Sequence, residues 1–255
     1  MKALNKAKKW KNQMFEELKP HLIELRKRLF ISVLCILLMF ILAFALRTYI
    51  LDILEAPLLE ALPEISKHVN VIEIQEALFT AIKVSFFAAF IFSLPIIFWQ
   101  FWKFVAPGLY DNEKKLVMPF VSFASVMFAL GALFCYFIVV PLAFKFLINF
   151  GLNEGFNPVI TIGTYIDFFI KVVIAFGIAF EMPVLAFFFA KIGLIDDAFL
   201  KRHFRVAVLI IFIFSAFMTP PDILSQFLMA GPLCALYGLS ILIVQKVNPA
   251  KKDEI

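Results

Sequence analysis

The sequence predicts an all-α integral membrane protein with six transmembrane helices. Of its 255 residues, 63% are hydrophobic and only 17% are charged, whereas soluble domains average about 45–50% apolar and about 25% charged residues. The apolar residues form long runs separated by short polar segments. Because lipid offers no hydrogen bonds to the backbone, each such run must satisfy its own peptide groups, and a helix does so most simply.

Six apolar runs are candidate spans. They extend over about 29–46, 78–101, 119–140, 165–190, 206–218 and 227–244. A helix over the fifth run would be only about 20 Å long, and the sixth is also short against a hydrocarbon core of about 30 Å. Short spans require that the bilayer thins, that water enters or that a partner covers the gap.

Two of the connecting segments are long. We expect the acidic segment Arg47 to Ala77 to form short interfacial helices broken near Pro57 and Pro63. We expect Pro141 to Thr164 to be a loop with little charge.

The distribution of Lys and Arg predicts the orientation. Basic residues cluster in the N-terminal segment, the second loop, the fourth loop and the tail, whereas the three opposite loops hold only Arg47, Lys67 and Lys145. Positive charge favours the cytoplasmic side. Six spans place both termini on one side, so we expect both termini to be cytoplasmic.

The N-terminal segment leaves two alternatives open. Residues 1–19 are rich in Lys, with apolar residues at helical spacing, which fits either a basic amphipathic helix on an anionic leaflet or a disordered tail. We expect a helix to start at Pro20, where the missing N–H costs nothing. Within it, Glu24 either pairs with Arg28 at i,i+4 or stays free for a partner.

Ionisable residues inside spans are functional candidates. In the fourth span, Asp167, Lys171 and Glu181 fall within one sector of about 80°. Asp167 and Lys171 are spaced as an i,i+4 pair. Glu181 has no basic residue within a turn, and Pro183 leaves the carbonyl of Ala179 open beside it. Glu181 is either a protonated acid bonded to a neighbouring helix or a polar anchor for a partner helix or a polar cargo.

Enzyme signatures are missing from the sequence. The histidines lie outside the spans, and the nine glycines build neither a Walker loop nor a dinucleotide fingerprint. Cys35, Cys135 and Cys234 lie in apolar runs, which favours a role as small apolar residues over a disulfide or a metal site. We therefore expect no catalytic residues, no metal, no cofactor and no nucleic-acid partner. Any work that the protein does must then draw on an external source, such as an ion gradient or a partner ATPase.

Two cytoplasmic carboxylates, Glu24 and Glu113, lie in short basic contexts. Together they can bind a ligand with two guanidiniums, because Arg–carboxylate pairs are often bidentate. One exposed pair contributes only about 0–1 kcal/mol, so useful affinity needs both sites and some burial. Arg26, Lys114 and Lys115 oppose a cationic ligand, so recognition must depend on geometry.

Several segments together resemble the TatC family, the multi-spanning subunit of the twin-arginine protein translocase. They occur in family order and with family spacing over about Leu18 to Val244. The matching segments are His-Leu-Ile-Glu-Leu-Arg-Lys-Arg-Leu at 21–29, Ala-Pro-Leu at 56–58, Phe-Val-Ala-Pro-Gly-Leu-Tyr-Asp-Asn-Glu-Lys-Lys at 104–115, Ala-Phe-Gly-Ile-Ala-Phe-Glu-Met-Pro-Val at 175–184, and Thr-Pro-Pro-Asp at 219–222 with Gln226 after it.

The resemblance implies a single six-span domain over 1–255, shaped like a concave glove, with a basic extension at 1–19 and a cytoplasmic tail at 245–255. It implies a multi-pass protein of the bacterial cytoplasmic (inner) membrane that recognises twin-arginine signal peptides. Such a protein helps to export folded precursors, powered by the proton motive force. The implied partners are TatA, TatB, membrane lipid and further copies of the chain in the receptor complex.

The resemblance also implies roles for individual residues. These roles are signal-peptide binding by Glu24, Glu113 and Phe104 with Arg26 and Arg28 in the same patch, an intramembrane acid on the concave side at Glu181, a contact with TatA and TatB at Gln226, and a periplasmic position for Pro57 and Asp222. Family members can carry Gln at the position of Glu181, which favours hydrogen bonding over obligatory charge.

Two other functions remain possible from the residues alone. A proton-coupled transporter of a small solute could use Asp167, Lys171 and Glu181, but it predicts a repeat between the two halves, and the first span has no acid matching Glu181. An intramembrane hydrolase is disfavoured because the spans contain no histidine and the chain has no Gly-x-Ser-x-Gly elbow.

Overall fold

The computed structural model describes residues 2–62, 71–105, 117–155, 159–219 and 222–249, and in these ranges the chain forms helices and no β-strand. The helices are α1 (Lys2–Ala45), α2 (Arg47–Ala61), α3 (Glu76–Val105), α4 (Val117–Phe134), a π-helical turn (Cys135–Val139), α5 (Val140–Asn153), α6 (Ile162–Lys191), α7 (Asp197–Arg202), α8 (Phe204–Met218) and α9 (Ile223–Val247).

Five helical stretches are long and apolar enough to cross a membrane, and α8 is a shorter apolar helix of the same character. The five are Lys19–Ala45, Glu76–Val105, Met118–Asn153, Ile162–Lys191 and Ile223–Val247. The predicted all-α fold and the short fifth span are therefore confirmed. The prediction of a short sixth span is wrong, because α9 has 25 residues, about 37 Å of helix. The helix extends the apolar run by one turn, Ile223 to Gln226, at its start and by Gln245 to Val247 at its end.

Helix α6 is at the centre of the bundle. It packs against α3, α4, α8 and α9. In its apolar 18-residue stretch 61% of the residues are buried, against 6% in the corresponding stretch of α1. Close packing against α4 depends on glycine: a Cβ at Gly131 would lie 2.7 Å from the Phe176 carbonyl oxygen, and a Cβ at Gly177 would overlap the Phe128 ring. Small residues allow such close approach between helices in lipid.

The contacts define two ends of the bundle. At one, called here the α2 end, the start of α6 meets the start of α3, where the Gly163 N–H donates to Glu76. At the other, called here the terminal end, Arg28 of α1 reaches Gln100 late in α3, and Asn248 after α9 donates to the carbonyl of Ile195. The part of α1 around Arg28 and the end of α9 therefore lie at the same end of the bundle, as six crossings require.

Helix α1 begins at Lys2, so the predicted helix start at Pro20 is wrong. Pro20 is exposed inside the helix. Here the missing N–H removes only one backbone hydrogen bond, at a surface position. The apolar face of Leu22 and Leu29 points outward, with 57% and 62% exposure. Glu24 and Arg28, off that face, lie toward α3.

Helix α2 contains Pro57 within its length, so the predicted break near Pro57 is wrong. Proline cannot donate to the carbonyl four residues back, which belongs to Ile53. The Tyr136 hydroxyl supplies the missing donor at 2.7 Å from the Ile53 oxygen. The Tyr165 hydroxyl likewise donates to the Leu54 oxygen at 2.6 Å. Two tyrosines of the bundle thus hold α2 in place. Pro63, the second predicted break, lies outside the described residues.

The prediction of a loop from Pro141 is wrong as far as Asn153, because α5 occupies that stretch. Pro141 follows the π-helical turn, in which the Val140 N–H bonds to the Cys135 oxygen. A π turn lets a helix continue past a proline that would otherwise break the backbone ladder. The same turn contains Tyr136, the donor to α2.

We expect Tyr136→Phe to lower the free energy of unfolding by about 1 kcal/mol, since the Ile53 oxygen then loses its donor. In a Pro57→Ala background the new backbone N–H serves this oxygen, and the same substitution should cost clearly less. Thermal unfolding in detergent micelles measures both. Tyr165→Phe is the matched control, because the helical N–H of Leu58 already serves the Leu54 oxygen. An equal cost of Tyr136→Phe in both backgrounds would contradict this explanation.

Candidate functional site

A guanidinium is held between α1 and α3 at the terminal end. Arg28 donates from Nε to the Glu24 Oε1 atom at 2.7 Å and from Nη1 to the Gln100 Oε1 atom at 3.1 Å. Gln100 is buried, and the Ser32 hydroxyl one turn further donates to the Arg28 carbonyl. The pairing alternative for Glu24 is therefore the one that the structure adopts, with Gln100 as an additional partner.

Glu24 keeps part of its binding capacity. Its side chain is 36% exposed, against 22% for Arg28, and its Oε2 atom accepts no hydrogen bond from the residues that the structure describes. A carboxylate offers about four lone-pair sites, so a second guanidinium can bind beside the first. The antiparallel register of α1 and α3 sets half-buried Phe104, one turn after Gln100, level with Glu24.

Arg26 and Glu113 are the other predicted members of this patch. Arg26 is exposed on α1. Glu113 lies outside the described residues, so its pairing with Glu24 across the patch stays a prediction. On α3, the Lys103 ammonium lies 4.8 Å from the centre of the Trp99 ring, which places one more cation at this end of the bundle.

Glu181 is a buried carboxyl in the middle of the bundle. The residue is 8% exposed, and its Oε1 atom has no hydrogen-bond partner among the described residues. At this atom, therefore, Glu181 does not bond to a neighbouring helix among the described residues, which was one of the two predicted alternatives. An unsatisfied buried polar atom costs about 1–3 kcal/mol, so the fold tolerates Glu181 at a loss of stability. Functional sites are where such losses occur.

The predicted Asp167–Lys171 pair is wrong. Asp167 instead accepts a 2.6 Å hydrogen bond from Lys83 of α3. Lys171 is exposed and has no ion-pair partner in the described part of the chain. A salt bridge between helices satisfies two charges near the same depth, whereas the i,i+4 pair would leave Lys83 alone in the membrane.

Asp222 and Gln226 fix the start of α9. Asp222 is the N-cap of α9, accepting the Ser225 N–H at 2.6 Å. Gln226 donates from Nε2 to the Phe212 carbonyl of α8 at 3.0 Å. This bond ties α8 to α9 and leaves the Gln226 amide oxygen available. Pro57, like Asp222, lies at the α2 end.

Glu76 joins two elements of the bundle, although the sequence indicated only that it belongs to the acidic segment before the second span. Its Oε1 atom accepts the Gly163 N–H at 2.8 Å, and its Oε2 atom accepts the Ile72 N–H at 2.9 Å. A Cβ at Gly163 would lie 2.7 Å from Glu76 Oε1, so only glycine permits the contact. One carboxylate thereby joins the segment before α3 to the first turn of α6.

Four other site residues were also missed: Lys83, Gln100, Tyr136 and Tyr165. Each acts through a partner far away in sequence, and spacing along one helix does not reveal such a partner. One signal was available, since Gln100 is a polar residue at the end of an apolar run. Among the described residues, no group of three or more His, Cys, Asp and Glu side chains is arranged to hold a metal ion.

Comparison with known proteins gives a consistent answer. Residues 20–232 match the family described as "Sec-independent protein translocase protein (TatC)". The Sec-independent protein translocase protein TatC of Campylobacter jejuni is 85% identical over 241 residues, covering 94% of this chain and 98% of that protein. The protein of the same name from Helicobacter pylori strain J99 is 49% identical over 240 residues, covering 94% and 93%.

A solved structure is also similar. The crystal structure described as that of the "Twin Arginine Translocase Receptor- TatC" superposes with a TM-score of 0.80 at 40% sequence identity, covering 89% of this chain and 99% of that chain.

We expect Glu76→Ala to free the segment before α3, because the Ile72 and Gly163 amides lose their shared acceptor. Hydrogen–deuterium exchange in micelles should then rise at 71–75 and at the first turn of α6. Glu73→Ala is the matched control, since among the described residues the Glu73 side chain accepts only from its neighbour Gln75. Unchanged exchange in Glu76→Ala would show that the carboxylate does not hold these elements.

Proposed function

The chain belongs to the TatC family of Sec-independent protein translocase proteins, and from that membership we propose that it reads twin-arginine signal peptides through Glu24 and Glu113. It is a receptor component of the twin-arginine translocase, a role that replaces the small-solute transporter considered above. We propose that this role involves no enzymatic catalysis.

One observation carries the proposal: Glu24 already binds a guanidinium. Arg28 occupies the Glu24 Oε1 atom, whereas the Oε2 atom accepts no hydrogen bond from the described residues and the side chain is 36% exposed. The same carboxylate is therefore preorganised for the functional group that distinguishes a twin-arginine ligand. Arg is also the side chain that matches a carboxylate in bidentate geometry, which Lys does not.

Gln100 gives the site a way to accommodate the ligand. An incoming guanidinium at the Glu24 Oε2 atom shares the carboxylate with Arg28, and Gln100 retains Arg28 through its Nη1 atom. Arg28 is then not left unpaired when the ligand binds. Arg26 and Arg28 repel a cation, so a ligand gains affinity only where its geometry brings both arginines to Glu24 and Glu113, with Phe104 beside them.

Partner proteins and cargo would meet the chain within the membrane. We assign contacts with TatA and TatB to Gln226 and the short helix α8, since a 15-residue apolar helix covers only about 22 Å of a core of about 30 Å. We assign to Glu181 the role of an intramembrane polar anchor on the concave side. Self-association would occur in the receptor complex.

The orientation follows from charge. The terminal end carries the Lys- and Arg-rich segments, so we place it in the cytoplasm and the α2 end, with Pro57 and Asp222, in the periplasm. The chain would then be a single-domain, multi-pass protein of the bacterial cytoplasmic (inner) membrane. The proton motive force would supply the work of moving folded precursors.

Glu24→Ala and Glu113→Ala should each reduce crosslinking of a twin-arginine signal peptide by about tenfold or more, since each removes a charge-assisted pair. Photo-crosslinking in membrane vesicles measures this, with the amount of inserted protein as the internal reference. Glu154→Ala, at an exposed acid of the α2 end, is the matched control and should crosslink normally. Normal crosslinking in both Glu24→Ala and Glu113→Ala would remove the two-carboxylate site.

Glu181→Gln should retain much more transport than Glu181→Leu, because an amide preserves polarity and hydrogen bonding at this buried position. Export of a folded reporter to the periplasm, normalised to chain abundance, measures both variants. Equal loss in the two would indicate that the charge itself is required.

A further inference from the structure

The segment that leads from the end of α6 through α7 into α8, residues 191–205, carries an excess of positive charge and is called here the α7–α8 corner. It contains four Lys and Arg side chains and two Asp side chains. Asp196 caps α7 by accepting the Phe199 N–H at 2.7 Å. Asp197 is buried and accepts a 2.6 Å hydrogen bond from Lys201. With both acids counted, the corner keeps two surplus positive charges at the terminal end.

Two exposed cations of this corner, Arg202 and Arg205, form no ion pair with any residue that the structure describes. Helical backbone bonds run through the junction that separates them. The His203 N–H donates to the Phe199 oxygen at 3.2 Å, and the Ala207 N–H donates to the His203 oxygen at 2.9 Å. The spacing of an α-helix therefore holds from α7 into α8.

This spacing places the two arginines in line with an apolar face of α8. At 100° per residue, Arg202, Arg205, Leu209 and Ile213 fall within a sector of about 80°. Leu209 and Ile213 are both exposed, so this face of the helix is open to lipid. The two guanidiniums thus lie at the end of an apolar stripe that faces the hydrocarbon.

The α7–α8 corner is fixed to α9 by two hydrogen bonds. The Tyr237 hydroxyl donates to the Leu200 carbonyl at 3.0 Å, and the Asn248 side-chain amide donates to the Ile195 carbonyl at 2.9 Å. The backbone that carries the arginines is therefore already ordered, which lowers the entropic cost of binding a ligand there.

The length of α8 places Arg205 at the level of the headgroups. The helix has 15 residues and is about 22 Å long. Centred in a hydrocarbon core of about 30 Å, it starts about 4 Å inside the boundary. A long basic side chain at this depth extends its charged group toward the headgroup layer, where the phosphates of the lipids lie.

We propose that the α7–α8 corner binds one anionic phospholipid, with its phosphate on Arg202 and Arg205 and an acyl chain along Leu209 and Ile213. The surplus charge complements the phosphate, which Arg binds in bidentate geometry. The acyl chain lies on the open outer face of α8, so it needs no cavity. Gln226, assigned above to partner subunits, lies at the opposite end of α8, and the lipid site does not depend on the proposed signal-peptide site.

Native mass spectrometry of the full chain in detergent tests this site by titration with dioleoylphosphatidylglycerol. Dioleoylglycerol, which lacks the phosphate, and inorganic phosphate, which lacks the chains, are separate arms. One variant combines Arg202→Gln with Arg205→Gln, and a second combines Arg202→Lys with Arg205→Lys, which keeps the charge. The matched control combines Lys19→Gln with Lys27→Gln, which removes the same charge from two exposed positions of α1.

We expect one tightly held phosphatidylglycerol in the wild-type chain. Its affinity should fall by about tenfold or more in the double Gln variant, because each arginine contributes a charge-assisted contact. The fall should be much smaller in the double Lys variant, and the α1 control should bind as the wild type does. Unchanged affinity in the double Gln variant, equal loss in the α1 control, equal binding of dioleoylglycerol, or displacement of the lipid by inorganic phosphate alone would each overturn the proposal.

Discussion

The fold depends on one constraint: a polar group inside a membrane bundle has to find its partner on another helix, since lipid offers none. The Tyr136 hydroxyl meets the Ile53 carbonyl that Pro57 leaves open. Lys83 meets Asp167 between α3 and α6. These bonds also set the arrangement of the helices, because each joins elements that are far apart in the sequence.

Like the hydroxyls of Thr80 and Ser215, Glu181 departs from this pattern, and it is the one carboxyl among these three groups. Its Oε1 atom is buried and unpartnered within the described residues, although α6 is the best-packed helix of the bundle. By contrast, Glu76 has both oxygens satisfied by backbone N–H groups. We interpret the first carboxyl as held ready for a partner or cargo and the second as part of the scaffold.

The sequence predicted the helical class, the spans and their order, because these follow from composition and from runs of apolar residues. It did not predict the way in which prolines are tolerated. Pro57 and Pro141 were both expected to end helices, yet a tyrosine hydroxyl supports the first and a π turn accommodates the second. Asp167 was assigned to its neighbour at i,i+4, whereas its partner is Lys83, 84 residues away. Local spacing cannot reveal a partner that only the packing of helices brings close.

The proposed recognition site shows both what a sequence can and what it cannot supply. Family motifs identified Glu24 and Arg28 as members of one patch, and spacing identified them as a pair. Gln100, which holds the same guanidinium from α3, needed the fold. With Gln100 included, the proposed site is a guanidinium cradle in which an internal arginine lies beside the position proposed for a ligand arginine. Discrimination then rests on the planar fork of Arg and not on charge alone.

The most direct test of this account compares the affinity of a twin-arginine signal peptide with that of its Lys-Lys version, for the purified wild-type chain and for Glu24→Gln. The account predicts that the wild-type chain prefers Arg-Arg by about tenfold or more, and that Glu24→Gln loses most of this preference. An equal preference in both proteins, or none in the wild type, would contradict it.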